Sequence, residues 1–264
     1  MARYHTLQLG DAVIGGPPGS GASLMVGSIF HDAHAIVADA GTGRFDEGRA
    51  ASLVDRVGEL AERAGTPMAI DVVAASPQAM ARYLAFVGAR SRLPLMISGA
   101  DSATRIAGLE AASDLGVLDR CIFAALDQGS AGAELEALHR HRPAAVVIRP
   151  GDGRDPSPET ICTLLDSCFL PMLQAIGAGP PIVDLGTVDA LSVDGATRAI
   201  RAVRKRFGYT PPAAPSRDRP GLAPSARGGS TCAWARRSPR AAPPGPTTCT
   251  TAASSWRHRA WPWL

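Results

Sequence analysis

Between Phe45 and Phe207 the chain repeats one rhythm: a short apolar run rich in Val and Ile, a small polar turn, then a stretch whose apolar residues recur at helical spacing. Apolar runs of four to eight residues alternating with longer amphipathic segments predict parallel β/α units. The pattern places strands at about 68–73, 94–98, 121–125, 144–149 and 181–185, and helices at 46–64, 77–88, 102–115, 131–141, 158–176 and 195–207. Further strand-like runs at Ala12–Ile14 and Ser23–Ile29 flank a glycine- and proline-rich turn at Gly15–Gly21. Ser76-Pro77 and Ser157-Pro158 each put a hydroxyl where a helix N-cap is needed and a proline at the first helical position. About six β/α steps are visible. That is two short of the eight needed to close a ring, so a TIM-type (β/α)8 barrel is expected, incomplete at its last two strands.

Ligands of β/α folds bind at the carboxyl ends of the strands, which makes polar residues there the first candidates for chemistry. Asp71, in Met68-Ala-Ile-Asp-Val-Val73, is a carboxylate set into an otherwise apolar strand near that end. The alternative is a structural carboxylate that caps the next turn. His34 follows the end of another strand in His31-Asp32-Ala33-His34, where His31 reads as a solvated turn residue. His139 and His141 flank Arg140 at a helix end, where positive charge offsets the helix dipole, and read as structural.

Gly16-Pro-Pro-Gly-Ser-Gly21-Ala22-Ser23 has the spacing of a phosphate-binding loop, but Ala22 stands where the phosphate-contacting lysine is required and the loop precedes a strand. Nucleotide hydrolysis is therefore excluded, and no G-x-G-x-x-G follows a strand to support a dinucleotide site.

The chain has 264 residues, 45% of them hydrophobic, enough for one large α/β domain. It shows no long apolar span and no leader-like amino terminus, which predicts a cytoplasmic protein. Five cysteines without CxxC pairs fit reduced thiols better than a disulfide framework or a metal site.

Charge divides the chain more sharply than length does. From Arg217 onward eight arginines stand against one acid, a net +7, so a total of +3 leaves the rest mildly acidic at −4. All four tryptophans also lie there, and Ile, Val, Met, Phe and Glu are missing. Basic residues with interleaved aromatics would suit nucleic acid or an acidic membrane. The composition equally fits disorder. An out-of-frame translation accounts for the abrupt change best. Residues 1–216 are accordingly expected to form the barrel domain and 217–264 a low-complexity basic tail, with neither nucleic-acid binding nor membrane insertion.

Several segments together carry a family resemblance: Val26-Gly-Ser-Ile-Phe30, Ile70-Asp-Val-Val73 with Ser76-Pro-Gln-Ala-Met80, Arg105-Ile-Ala-Gly-Leu109, Asp155-Pro-Ser-Pro158, and Ile182-Val-Asp184 to Val188-Asp189. In order and spacing, from about Gly10 to Ser216, the chain resembles the H subunit of tetrahydromethanopterin S-methyltransferase and its bacterial relatives. The resemblance implies a β/α barrel that moves a methyl group between a reduced pterin, tetrahydromethanopterin or tetrahydrofolate, and the cobalt of a corrinoid (cobalamin type) on a partner protein. The alternative is a non-catalytic paralogue that serves as a scaffold for the corrinoid protein. A homodimer is compatible with either reading.

A pterin ring presents donors at a ring nitrogen and an exocyclic amine, so a carboxylate can make a paired, charge-assisted contact with it. Asp71 matches the family's aspartate. Asp71 and Asp184 are the expected catalytic residues, and Asp71, Ser98, Asp184, Asp189 and His34 the expected substrate-binding set, with no metal ligand. Three positions depart from the family pattern. Ser98 stands in Ile97-Ser98-Gly99 where an acid is usual, Phe123-Ala124-Ala125 replaces a strand ending in Asn-Ser, and Arg149-Pro150 takes the place of an asparagine. A serine can hydrogen-bond but carries no charge. Asp101 or Asp127, in neighbouring loops, are candidates to supply the missing acid.

Overall fold

The computed structural model describes residues 4–17, 19, 21, 23–31, 33–130, 132–151, 157–185 and 193–209. An antiparallel hairpin, β1 (Thr6–Leu9) and β2 (Ala12–Gly15), precedes β3 (Met25–Ile29). A two-strand ribbon, β4 (Val37–Asp39) and β5 (Arg44–Phe45), leads into α1 (Glu47–Ala64). The β/α units then follow: β6 (Met68–Ala74), α2 (Pro77–Arg90), β7 (Leu95–Gly99), α3 (Ser102–Asp114), β8 (Cys121–Leu126), α4 (Gly132–His141) and β9 (Ala145–Ile148). α5 (Pro158–Leu164) continues through a π-helical turn, Leu165–Phe169, into α6 (Leu170–Ile176); β10 (Ile182–Val183) and α7 (Val193–Phe207) complete the described elements.

Helix boundaries follow local chemistry. Asp46 caps α1 by accepting from the Arg49 amide, Ser76 caps α2 through Ala79 N–H at 3.1 Å, and Asp101 caps α3 through Thr104 N–H at 2.8 Å. The single helix predicted over 158–176 contains one irregularity. Pro171 lacks an amide hydrogen and its ring would crowd the preceding turn, and the helix widens into the π turn just before it.

β3, β6, β7, β8, β9 and β10 form one parallel sheet whose spatial order is the chain order. Sequential order winds the connecting helices onto one face, as in a barrel, whereas a doubly wound sheet would reverse direction partway. Packing agrees. Ile70, Val72, Leu95, Ile97, Phe123, Val146, Ile148 and Val183 point outward into one large apolar core with every helix. Residues one step along each strand point to the inner face. There Ile122, Ala145, Val147 and Ile182 meet Leu7, Leu9 and Ile14 of the β1–β2 hairpin in a separate cluster without helix residues.

The hairpin closes the amino end of the inner face. Gly10 N–H donates to Asp119 O at 3.0 Å, just before β8 begins. Arg120, buried beside it, donates to the carbonyls of Leu93 at 2.5 Å and Gly88 at 3.0 Å, which compensates the cation for leaving water.

Six of the eight strands of the expected barrel are thus present as a half-barrel sheet edged by β3 and β10, and ring closure is not seen among the described residues. The edge position of β3 explains why Met25 and Val26 are 57% and 43% exposed. The tail from Arg217 lies outside the described residues. The glycine-rich loop links a hairpin to a strand, so it lacks the strand-to-helix setting of a phosphate-binding loop. Cys121 and Cys162 are buried free thiols, and burial pushes the Cys121 thiol up to about 12.

Candidate functional site

Alternation along the strands decides which polar side chains face inward. In β6, Ile70, Val72 and Ala74 belong to the outer core, so Asp71 between them faces the inner side. Ser28 lies directly across the β3–β6 ladder from Asp71, and its hydroxyl donates to Asp71 Oδ2 at 2.8 Å. Asp71 is half-buried and does not cap the following turn; Ser76 does that. The capping alternative for Asp71 is thereby removed.

Ser98 is inward by the same alternation, near the carboxyl end of β7 and in register with Val73 and Ala124. Its hydroxyl makes no hydrogen bond among the described residues. Asp184 follows β10 directly and continues the ladder through its amide, which donates to Ile148 O at 2.8 Å. Arg149 likewise continues β9 by donating its amide to Leu126 O. Side by side on the inner face, the two form an ion pair, with Arg149 Nε and Nη2 donating to Asp184 Oδ2 at 2.9 and 2.7 Å. The Asp184 side chain is only 14% exposed and that of Arg149 38%.

His34 sits beyond the carboxyl end of β3. Its Nδ1 accepts from the Phe30 amide at 3.1 Å, which leaves Nε2 to carry the proton in the neutral ring. Its ring stacks on that of His31 at 4.9 Å, and both close the turn after β3. Phe30 itself adopts φ 66°, a left-handed conformation that costs a non-glycine residue energy. The stacked Tyr83 ring at 4.1 Å and the His34 contact hold it there. Asp189 lies outside the described residues.

Neither loop acid takes the place of the missing strand-end acid. The Asp101 carboxylate is held on the Thr104 amide at the start of α3, which, with the Thr104 hydroxyl, lowers its pKa. Asp127 folds its own turn by accepting from Gly129 N–H at 2.8 Å. His139 contacts the Ile176 carbonyl at 3.2 Å, joining α4 to the end of α6 as its structural reading requires.

Two contributors were not among the sequence-predicted site residues. Ser28 is hidden in Val26-Gly-Ser-Ile-Phe30 because only the register of β3 against β6 brings it to Asp71. Arg149 stands out in the sequence as a departure, yet its partner is 35 residues away.

On the inner face Ser98, Arg149 and Asp184 lie at the carboxyl ends of their strands, whereas Asp71, expected near the carboxyl end of its strand, sits with Ser28 in mid-strand, level with Met96 and Ile122 beside the apolar cluster that the hairpin covers. A groove of about 450 Å³ on the helix layer, lined by Pro158, Glu159, Cys162, Ala202, Lys205 and Arg206, contains none of them. Among the described residues no cluster of His, Cys, Asp and Glu could hold a metal ion, and no helix is long and apolar enough to cross a membrane.

Comparison with known proteins gives this arrangement a context. The family model of the tetrahydromethanopterin S-methyltransferase MtrH subunit matches residues 3–217. The H subunit of tetrahydromethanopterin S-methyltransferase from Methanothermobacter marburgensis is 29% identical over 211 residues, 77% of this chain and 68% of that protein. The corresponding protein from Methanosarcina mazei is 25% identical over 215 residues, 78% of this chain and 68% of that protein. That from Methanocaldococcus jannaschii is 26% identical over 211 residues, 77% and 66% respectively. With most of its length matched, the chain belongs to the MtrH family.

Proposed function

We propose that this protein is a methyltransferase that moves a methyl group between a reduced pterin, tetrahydromethanopterin or tetrahydrofolate, and the cobalt of a corrinoid carried by a partner protein. The observation that carries the reading is Asp71: an inward, half-buried carboxylate in the middle of an otherwise apolar β6, held by Ser28. Relatives named as tetrahydromethanopterin methyltransferase subunits support the pterin, and their being subunits supports a partner.

Asp71 accepts the donor edge of the ring in a paired, charge-assisted contact, and Ser28 fixes the carboxylate that does so. Ser98, Asp184 and His34 border the carboxyl end of the sheet, beyond Asp71 along the strands, with Asp189 assigned to the segment after β10. The methyl group leaves a tertiary amine, which requires that nitrogen to be protonated or strongly hydrogen-bonded in the transition state. Asp71 and Asp184 are the acidic groups assigned to organise that protonation. The remaining contribution is orientation, since holding donor and acceptor in line converts an encounter into a unimolecular step.

The test incubates the purified full-length protein with methyl-tetrahydrofolate or methyl-tetrahydromethanopterin and Co(I) cobalamin and watches for the methylcobalamin spectrum. Asp71→Asn is expected to weaken pterin binding by about 1–3 kcal/mol while leaving the fold intact. Pterin binding without methyl transfer, even with a corrinoid protein supplied, would instead assign the chain to a scaffold role. Absence of pterin binding would end the proposal.

A further inference from the structure

We infer that Arg149 is a specificity-determining residue that receives an anionic side arm of the ligand whose ring rests on Asp71; this deepens the functional reading above and depends on it. The juxtaposition is one of charge. The inner face carries an acidic pole on β6, where the Ser28 hydroxyl, an uncharged donor, meets the Asp71 carboxylate oxygen at 2.8 Å. On β9 and after β10 it carries an ion pair in which the cation is the more exposed partner, 38% against 14%. Both Arg149 donors that meet Asp184, Nε and Nη2, converge on a single oxygen. The guanidinium is planar with donors on three nitrogens, so Nη1 projects away from that pair. It makes no hydrogen bond among the described residues.

Asp184 therefore anchors the guanidinium and sets its plane, and the open edge presents a fixed cationic donor. Such an edge suits carboxylate or phosphate oxygens, whose geometry matches the fork of an arginine.

Register sets the span. Asp71 aligns through Met96 and Ile122 with Ala145, four residues before Arg149, and β6 and β9 are three strand spacings apart. At about 4.8 Å per strand and about 3.3 Å per residue, the two backbone positions lie at most about 20 Å apart along the sheet, and curvature shortens the direct path. A bicyclic ring on Asp71 does not reach that far. A ring carrying an extended acidic arm does. The site thus selects a ligand with hydrogen-bond donors at one end and negative charge at the other.

The experiment measures dissociation constants of the full-length protein for three methylated reduced pterins: one with a glutamyl arm, one with a phosphate-bearing arm, and one with no arm. The same set is measured on Arg149→Gln and Arg149→Lys. The wild type is expected to bind at least one armed pterin about tenfold or more tightly than the armless one, with that preference shrinking as salt rises. Which arm is preferred identifies carboxylate or phosphate as the anion received. Arg149→Gln should abolish the preference, weakening the favoured armed pterin about tenfold or more beyond any change for the armless one, and Arg149→Lys should recover part of it. Equal affinity of the wild type for all three ligands overturns the inference, as does a uniform loss across all three in Arg149→Gln, which would mark Arg149 as structural. If Asp71-dependent binding of the armless pterin persists in either case, the functional reading survives; if no pterin binds, both fall.

Discussion

On β6, Ile70, Val72 and Ala74 are buried under the helices, whereas Asp71 and Val73, one residue away on the same strand, face inward and remain half-buried. The outer face runs as one continuous apolar core from Ile29 to Val203 and includes the stack of Phe30 on Tyr83. The inner face is mixed: the hairpin covers an apolar cluster on β8 to β10, Ser28 and Asp71 meet in mid-strand on β3 and β6, and Ser98, Arg149 and Asp184 lie at the carboxyl ends. The alternation of a strand thus lets one segment pack against helices on one side and present a carboxylate on the other.

The contrast can be broken most directly in the core. Phe123→Ala, on the outer face of β8, is expected to cost about 3–5 kcal/mol in denaturant unfolding, while Val73→Ala on the inner face costs less than about 1.5 kcal/mol. Similar losses at both would show that the inner face is as tightly packed as the outer one.

A second comparison sets buried charge against surface charge. Glu134, fully buried at the start of α4, accepts from Arg105 Nε at 2.6 Å, and Arg105 also donates to Gly99 O at 3.2 Å at the end of β7. Arg105→Met should destabilise by about 3–4 kcal/mol because it leaves a buried carboxylate without its cation. Adding Glu134→Leu should restore much of that loss, and failure of the double variant to recover would place the cost in packing. The solvent-exposed Asp55–Arg90 pair, by comparison, should leave stability nearly unchanged when Asp55 becomes Asn.

The smallest effect sharpens the boundary between fold and site. Asp101→Ala should cost about 1 kcal/mol through the lost cap of α3 and leave pterin affinity unchanged. The Asp101 carboxyl is held below its ordinary value, chiefly by the Thr104 amide. Its contribution is therefore complete above the unfolded carboxyl's pKa, near 3.9, and disappears as pH falls through the lowered folded value. Wild type and variant should converge in stability in strong acid; a gap persisting there would mean that Asp101 acts by packing. Loss of pterin affinity would return Asp101 to the site.

Much of the architecture was legible because it is local. The period of apolar residues placed every β/α unit from β6 to α7 within a few positions, and Ser76-Pro77 marked a helix start that the Ser76 hydroxyl caps. β1, β4 and β5 went unread: each is four residues or fewer, too short for a period to emerge. The π turn was likewise invisible, because the hydrophobic stripe runs on through Pro171 while only the backbone registers its missing amide.

The site was half legible for a similar reason. Asp71 showed itself as a carboxylate in an apolar strand, and alternation against Ile70 and Val72 is a property of the strand alone. Its bond to Ser28 and the pairing of Arg149 with Asp184 join residues 43 and 35 positions apart, and parallel register fixes them only when the strands assemble. The chain by itself determined which residues are strand, helix or cap, since these depend on neighbours within a few positions. Tertiary structure decided which face each strand gives to the helices, what the amino-terminal hairpin covers, and whether an arginine meets an aspartate, because burial and charge pairing are properties of the assembled sheet.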